Sequence, residues 1–436
     1  MNQASETAVI RKVRKRLLPL LMLLYFVAYL DRVNIGFASL GMNDDIGLSN
    51  AAFGFGAGVF FLGYFLFEVP SNLALHHVGA RLWIARIMGT WGALSMAMAL
   101  VESPLAFHAL RFCLGAAEAG FFPGVIYLLT RWFPAEYRVR AIAIFMAAAP
   151  VSTAIGSPLS GAIMLLDGTA GLHGWQWLFL LEGLPALLLV PVVLACLDDG
   201  PETARWLTHE ERLLLVARLA GEAPAQPHGS VWAALADWRV LMLGVIYFGT
   251  SAGLYALGIW APQLLARHGL DPLQTGLANA IPATLAILAM LWWARRSDMS
   301  GERELHVAGA CIVAAVGLVL AGQAAGLVGC VGALILVNAG ISAAKPPLWG
   351  IPNRFLGGAR AAAGIAAINS IGNLGGFVGP TLVGWLEQRS GSFATGLAAI
   401  AAVLVISGAV AALMARLSPP AAASGEPAHE PFRTHK

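Results

Sequence analysis

Long apolar stretches, separated by short polar turns, recur along this chain at lengths that suit a hydrocarbon core. Twelve reach the roughly 20 residues that a spanning helix needs at about 1.5 Å per residue. They run 17–41, 52–76, 82–101, 105–131, 141–166 and 175–197, then 239–266, 273–295, 305–323, 328–352, 361–386 and 393–416. The order is six, a gap, six. Inside the gap, Thr208 to Glu211 has the form of a capping box ahead of the apolar-periodic run Leu213 to Leu219, so a surface helix is expected there. The predicted organisation is a cytoplasmic basic segment (1–16), a six-helix bundle (17–197), a cytoplasmic linker with a surface helix (198–238), a second six-helix bundle (239–416) and a Pro- and Ala-rich cytoplasmic tail (417–436) expected to be disordered.

Composition agrees with an all-α membrane protein. The 436 residues are 58% hydrophobic and 12% charged, with mean hydropathy +0.72, whereas soluble domains are about a quarter charged. The 49 glycines suit helices that approach closely without a hydrophobic drive between them. The basic start, Arg11 to Arg16, runs straight into a stretch long enough to span, so it reads as a retained helix rather than a cleaved signal. Among the 27 Lys and Arg, Arg267 and Arg389 fall on one side, Arg32, Arg111 and Lys345 lie inside spans, and the others gather on the side of the N-terminus. That asymmetry predicts cytoplasmic termini. It also accounts for the net charge of +3 without a nucleic-acid partner; the bilayer is the expected partner, and a monomer the expected state. No His-Glu-x-x-His motif, nucleotide-type glycine run or metal-ligand cysteine spacing is present, so neither a cofactor nor an enzymatic reaction is expected.

The two halves repeat. At a constant offset of 222 residues, Tyr25-Phe26 returns as Tyr247-Phe248, Gly79 and Arg81 as Gly301 and Arg303, Phe133 as Phe355, and Arg138 as Arg360. Duplicated halves with a site between them are a common build for a secondary transporter. Four ionisable residues break the apolar pattern: Asp31 and Arg32 in the first span, Arg111 and Glu118 in the fourth. At roughly 3 kcal/mol for each charge at mid-bilayer, such residues usually pair or face water and mark a pathway. Arg111 and Glu118, seven apart, share a helix face. Arg32 and Arg111 fall at similar depth, so an anion could bridge two guanidiniums while two carboxyls exchange protons. The equivalent positions of the second half are Gly253, Leu254, Ala333 and Gly340, so the charged machinery is expected in the first half only. Shape and polar contacts are then expected from Trp349, Asn369 and Tyr255.

With twelve spans in two repeats, the chain resembles the major facilitator superfamily. The loop Asp298 to Arg303, with Gly301, matches its acidic-Gly-basic gating loop; the first-half counterpart, with Gly79 and Arg81, departs from it by carrying His76 in place of the acid. A finer resemblance is to the anion:cation symporter branch, which includes sugar-acid, tartrate, phthalate and hydroxyphenylacetate permeases and sialin-like carriers. The words that carry it are Tyr29 to Asn34, Gly63-Tyr64, Glu68 to Asn72, Arg111 to Pro123, Trp175 to Gly183, Pro346 to Trp349 and Asn369 to Gly376. The resemblance implies import of a small mono- or dicarboxylate with protons by alternating access in a bacterial-type inner membrane. It implies that Arg32 and Arg111 grip the carboxylate and that Asp31 and Glu118 carry protons. The same residues would also serve an exchanger or exporter, and a sensor that kept the fold without turnover is the reading from another class.

Other residues divide between packing and binding. Tyr29 and Tyr64 suit hydrogen bonding to substrate or core packing alike. Glu68 and Glu182, nearer span ends, read as packing residues. Lys345, beside Pro346-Pro347, either snorkels to the membrane surface or faces the cavity, where a third cation would favour a dicarboxylate.

Overall fold

The computed structural model describes residues 3–221, 237–356 and 358–417, and the expected disordered tail lies outside them apart from Leu417. Apolar sequence of this length folds as helix because every backbone amide must find a partner within its own segment once water is excluded. The helices are α1 (Gln3–Asp45), α2 (Asn50–Val78), α3 (Ala80–Ala97), α4 (Pro104–Glu118), α5 (Phe121–Trp132), α6 (Ala135–Met146), α7 (Ala148–Met164) and α8 (Gly174–Cys196). After α9 (His209–Ala220) come α10 (Trp238–Ala266), α11 (Pro272–Ser300), α12 (Arg303–Gln323), α13 (Leu327–Gly350), α14 (Gly358–Ser390) and α15 (Phe393–Leu417). The result is an all-α membrane protein of twelve spans in two six-helix bundles.

Three features differ from the sequence reading, the simplest being that the fifth span is two helices, α6 and α7, which meet at Ala147. The fourth span is two helices, because Gly120 adopts φ 87° and ends the run at Glu118. Only glycine fits: a Cβ there would overlap the Ser71 hydroxyl, which itself donates to the carbonyl of Ala119 at 2.6 Å and so satisfies a group released by the break. The first helix is also longer than its apolar stretch, since the basic segment continues α1 back to Gln3. Helix α9 forms with both halves of its capping box, Thr208 and Glu211, and Glu211 accepts from Lys12 of α1 at 2.6 Å.

The bundles meet along α2 with α14, α7 with α11, and α1 with α10. The pairs α2–α14 and α7–α11 exchange under the repeat. At the seam glycine lets backbones touch: a Cβ on Gly54 would lie 2.6 Å from the Pro380 carbonyl oxygen, and one on Gly58 2.6 Å from that of Phe377. Polar contacts close the same end. Gln263 donates to Ser39 at 2.7 Å, Asn279 to Ser157 at 3.0 Å, and the buried Glu387 receives both Asn50 and Arg267, the latter at 2.8 Å. Ion pairs described at the opposite end stay within one half or tie it to α9: Lys12–Glu211, Arg218–Glu6, Arg303–Asp298 and Arg354–Glu304. The halves are thus pressed together at the end distant from the N-terminus.

Candidate functional site

Arg32 projects from the middle of α1 towards the end of α4. Its Nε donates to Glu118 Oε1 at 2.7 Å and its second terminal nitrogen reaches the same oxygen. Glu118 is 1% exposed, and it is the last residue before the break in the fourth span. A carboxylate at a helix C-terminus faces an unfavourable dipole, and the guanidinium offsets it. Tyr29, Phe60 and Tyr64 surround Arg32, with ring centroids 5.8, 5.8 and 5.4 Å from its Cζ. From the other bundle Tyr255 of α10 approaches, its hydroxyl 3.5 Å from Arg32 Nη1.

Arg111 also packs on Phe60, its Cζ 4.8 Å from the ring centroid. Both guanidiniums therefore contact one ring, that of Phe60. Arg111 does not pair with Glu118, although both lie on α4: Glu118 is taken by Arg32. Arg111 is 2% exposed, its one recorded hydrogen bond is a long 3.5 Å contact to the Ala57 carbonyl, and its Nε has no partner among the described residues. A buried guanidinium so poorly satisfied is a ready anion receptor.

Asp31 stands apart from the site the sequence suggested. Adjacent helical residues diverge by about 100°, and Asp31 turns into its own bundle, 3% exposed. There it accepts from Trp91 and Ser95 of α3, the latter at 2.8 Å, and from Asn34 at 3.1 Å.

On the second half, Trp349 stacks edge-on against Tyr247 with centroids 5.0 Å apart. Lys345, one turn earlier on α13, falls on the same stripe as Trp349 and Asn338. This stripe lies away from Ala333, Val337 and Gly340, which pack on α12. Lys345 is half-buried, and no carboxylate lies within ion-pair distance of it among the described residues. Asn369 is engaged otherwise than expected: it donates to Glu68 Oε1 at 3.1 Å, while Asn373 lies 3.4 Å from Oε2. Glu68 therefore joins α2 to α14 across the bundles, a role the sequence reading missed. Its signal was a carboxylate within an apolar span.

The gating loops are unequal. In the second half Arg303 lies 3.4 Å from Asp298 and donates to the Gly350 carbonyl at 2.6 Å, with Gly301 at φ 73°. In the first half, Asp199 beyond α8 fills the vacancy left by His76. It accepts from the Arg81 backbone at 2.8 Å beside Gly79, which has φ 94°. The Arg81 side chain meets the Leu194 carbonyl, and His76 meets Tyr127 edge to face.

The family model described as Major Facilitator Superfamily matches residues 21–380. The chain belongs to this superfamily. It is 57% identical over 421 residues to a protein of Agrobacterium vitis named "Putative tartrate transporter", covering 96% of this chain and 97% of that one. It is also 42% identical to a metabolite transport protein of Pseudomonas putida, described as putative, over 92% and 93% of the two chains. Among solved structures, a bacterial homologue of the human lysosomal transporter Spinster, inward-facing and unoccupied, superposes with TM-score 0.75 at 16% identity, covering 97% of this chain and all of that one. A D-xylose–proton symporter gives 0.70 at 16% identity, covering 92% and 96%. The protein is a multi-pass membrane transporter with the fold that these structures share.

Proposed function

We propose that this transporter takes up a small hydroxylated dicarboxylate of the tartrate type together with protons. The observation that carries the reading is the buried pair of Arg32 and Glu118 between two helices, open to Tyr255 of the opposite bundle. A substrate carboxylate and the Glu118 carboxylate would compete for one guanidinium. Protonation of Glu118 removes the competitor, so proton and anion enter together; deprotonation restores the internal pair and expels the anion, since either charge alone in the core is costly. The half-satisfied Arg111 provides a second grip, and Lys345, without a carboxylate partner among the described residues, suits the far carboxylate. The substrate class rests on these three cations and on the name borne by the 57% identical relative.

With the termini in the cytoplasm, the orientation that the charge asymmetry of the loops favours, the closed seam faces outward and the described conformation is inward-facing. Rocking of the halves about the site then gives alternating access. The test is reconstitution: labelled tartrate should show counterflow, and an inward proton gradient should drive accumulation. Glu118→Gln is expected to keep counterflow and lose gradient-driven accumulation. Full accumulation by that variant overturns the coupling assignment.

A further inference from the structure

At its closed end the seam between the bundles carries a groove of about 400 Å³ that the transport cycle does not use. Ala51 and Phe55 of α2 form one wall, and Phe377, Thr381 and Trp385, on successive turns of α14, form the other. Phe55 and Trp385 are exposed although the cavity is shut at this level, so they face lipid. The Thr381 hydroxyl donates to the Phe377 carbonyl at 2.7 Å, which leaves the wall apolar.

One turn beyond Trp385 the same stripe reaches Arg389. This guanidinium is exposed, its Cζ lies 4.2 Å from the Trp385 ring centroid, and it pairs with no carboxylate among the described residues; the neighbouring Glu387 is taken by Arg267. From Arg389 back to Phe377 the helix runs roughly 18 Å at about 1.5 Å per residue. One leaflet of the hydrocarbon core is about 15 Å deep. The stripe thus offers a cation at headgroup level and an apolar track one acyl chain deep. A second apolar groove, of about 350 Å³ between α12 and α15, lies within one half and has no charged residue in its lining. At the other seam the corresponding end of α7 and the turn after it, Ala162 to Asp167, have neither tryptophan nor cation.

Both walls exist together only while α2 lies against α14. Phe55 and Phe377 meet edge to face with centroids 6.0 Å apart, beside the close approach of Gly58 to the Phe377 carbonyl. Opening this end of the seam would part them. A ligand that fits only the closed arrangement shifts the equilibrium towards it.

We propose that the groove binds an anionic phospholipid of the leaflet at the closed end, its phosphate on Arg389 and one acyl chain along Trp385, Phe377 and Phe55, and that the bound lipid holds the seam shut. A guanidinium without a carboxylate partner favours a headgroup of net negative charge over a zwitterionic one. The site is independent of the substrate assignment; its effect on the seam rests on the rocking motion proposed above.

The test uses the full-length protein in phosphatidylcholine nanodiscs and a phosphatidylglycerol with a diazirine near the end of one acyl chain. Label should map to Phe55 and to residues 377–385, and excess phosphatidylglycerol should displace it where phosphatidylcholine does not. Arg389→Gln should lower the labelling about tenfold, the loss of one charge-assisted contact. Val378→Trp, which fills the groove and keeps the cation, should lower it as well. Label spread evenly over the lipid-facing surface, or indifferent to either variant, means annular lipid only and overturns the site. The seam is read separately through Ser39→Cys, in protein with Cys113 and Cys196 replaced. Phosphatidylglycerol should slow its reaction with a thiol reagent several-fold, and Arg389→Gln should remove that protection. An unchanged rate with the label in place overturns the lipid's hold on the seam, whereas failure of the transport reading shows as absence of tartrate counterflow.

Discussion

At residue scale, Arg32 offers Glu118 two nitrogens on one carboxylate oxygen, and the same fork would meet a substrate carboxylate. Arg32→Lys keeps the charge and loses the planar fork, so affinity for tartrate should fall roughly ten- to a hundredfold, matching about 1.5–3 kcal/mol for charge-assisted hydrogen bonds. Isothermal titration or thermal-shift dose curves measure it. Lys345→Met should weaken a dicarboxylate by about tenfold, the loss of one charged contact, while leaving a matched monocarboxylate nearly unaffected. Equal loss for both would return Lys345 to a packing role. The four charged positions were legible in the sequence because apolar spans make any charge conspicuous. Their partners were not: Arg32 and Glu118 are 86 residues apart, and neither helical spacing nor composition distinguishes that pairing from Arg111 with Glu118. Asp31 turns away from that pair by the angular step between neighbours on a helix.

At the scale of elements, the break after Glu118 sets where the carboxylate ends up, and it depends on one glycine and one serine. Gly120→Ala must adopt a left-handed conformation and displace Ser71. The expected destabilisation is about 1–3 kcal/mol, read as a lower thermal midpoint in detergent. Ser71→Ala, which loses the bond to Ala119 and the acceptor for Trp83, should cost about 1–2 kcal/mol. A glycine within an apolar run is ambiguous in sequence, since it also serves helix contacts, which is why the span read as continuous. The surface helix was legible, because its capping box is local. In it Lys12, with the Thr208 cap, holds the Glu211 carboxyl below its usual range. A lowered pKa in the folded state stabilises docking above the unfolded value, about pH 4.3, and that contribution disappears as pH falls through the lowered value. Glu211→Gln should therefore speed amide exchange across His209–Ala220 at neutral pH and make no difference once the carboxyl is protonated in the parent protein.

For the whole molecule, the state of the two halves hangs on the closed seam. Glu387 joins Asn50 of α2, Arg267 after α10 and its own helix α14 at that end. Glu387→Ala leaves Arg267 and Asn50 without their shared acceptor, so the seam should open more often. A cysteine at the buried Ser39, with the exposed Cys113 and Cys196 replaced, should then react several-fold faster with an impermeant thiol reagent added outside; an unchanged rate would remove Glu387 from the clasp. Arg267 appeared in the sequence only as one of the few charges on its side of the membrane, with nothing to reveal that it meets Glu387 120 residues later. By itself the sequence determined the spanning helices, their two repeats, the superfamily and the placement of Asp31, Arg32, Arg111 and Glu118 in the first half, because burial in lipid makes apolar length and isolated charge readable locally. Tertiary structure alone decided which charges pair, which end is closed and which carboxyl lacks a counter-charge. Those properties arise where helices distant in sequence meet, and each depends on the direction in which a side chain leaves its helix.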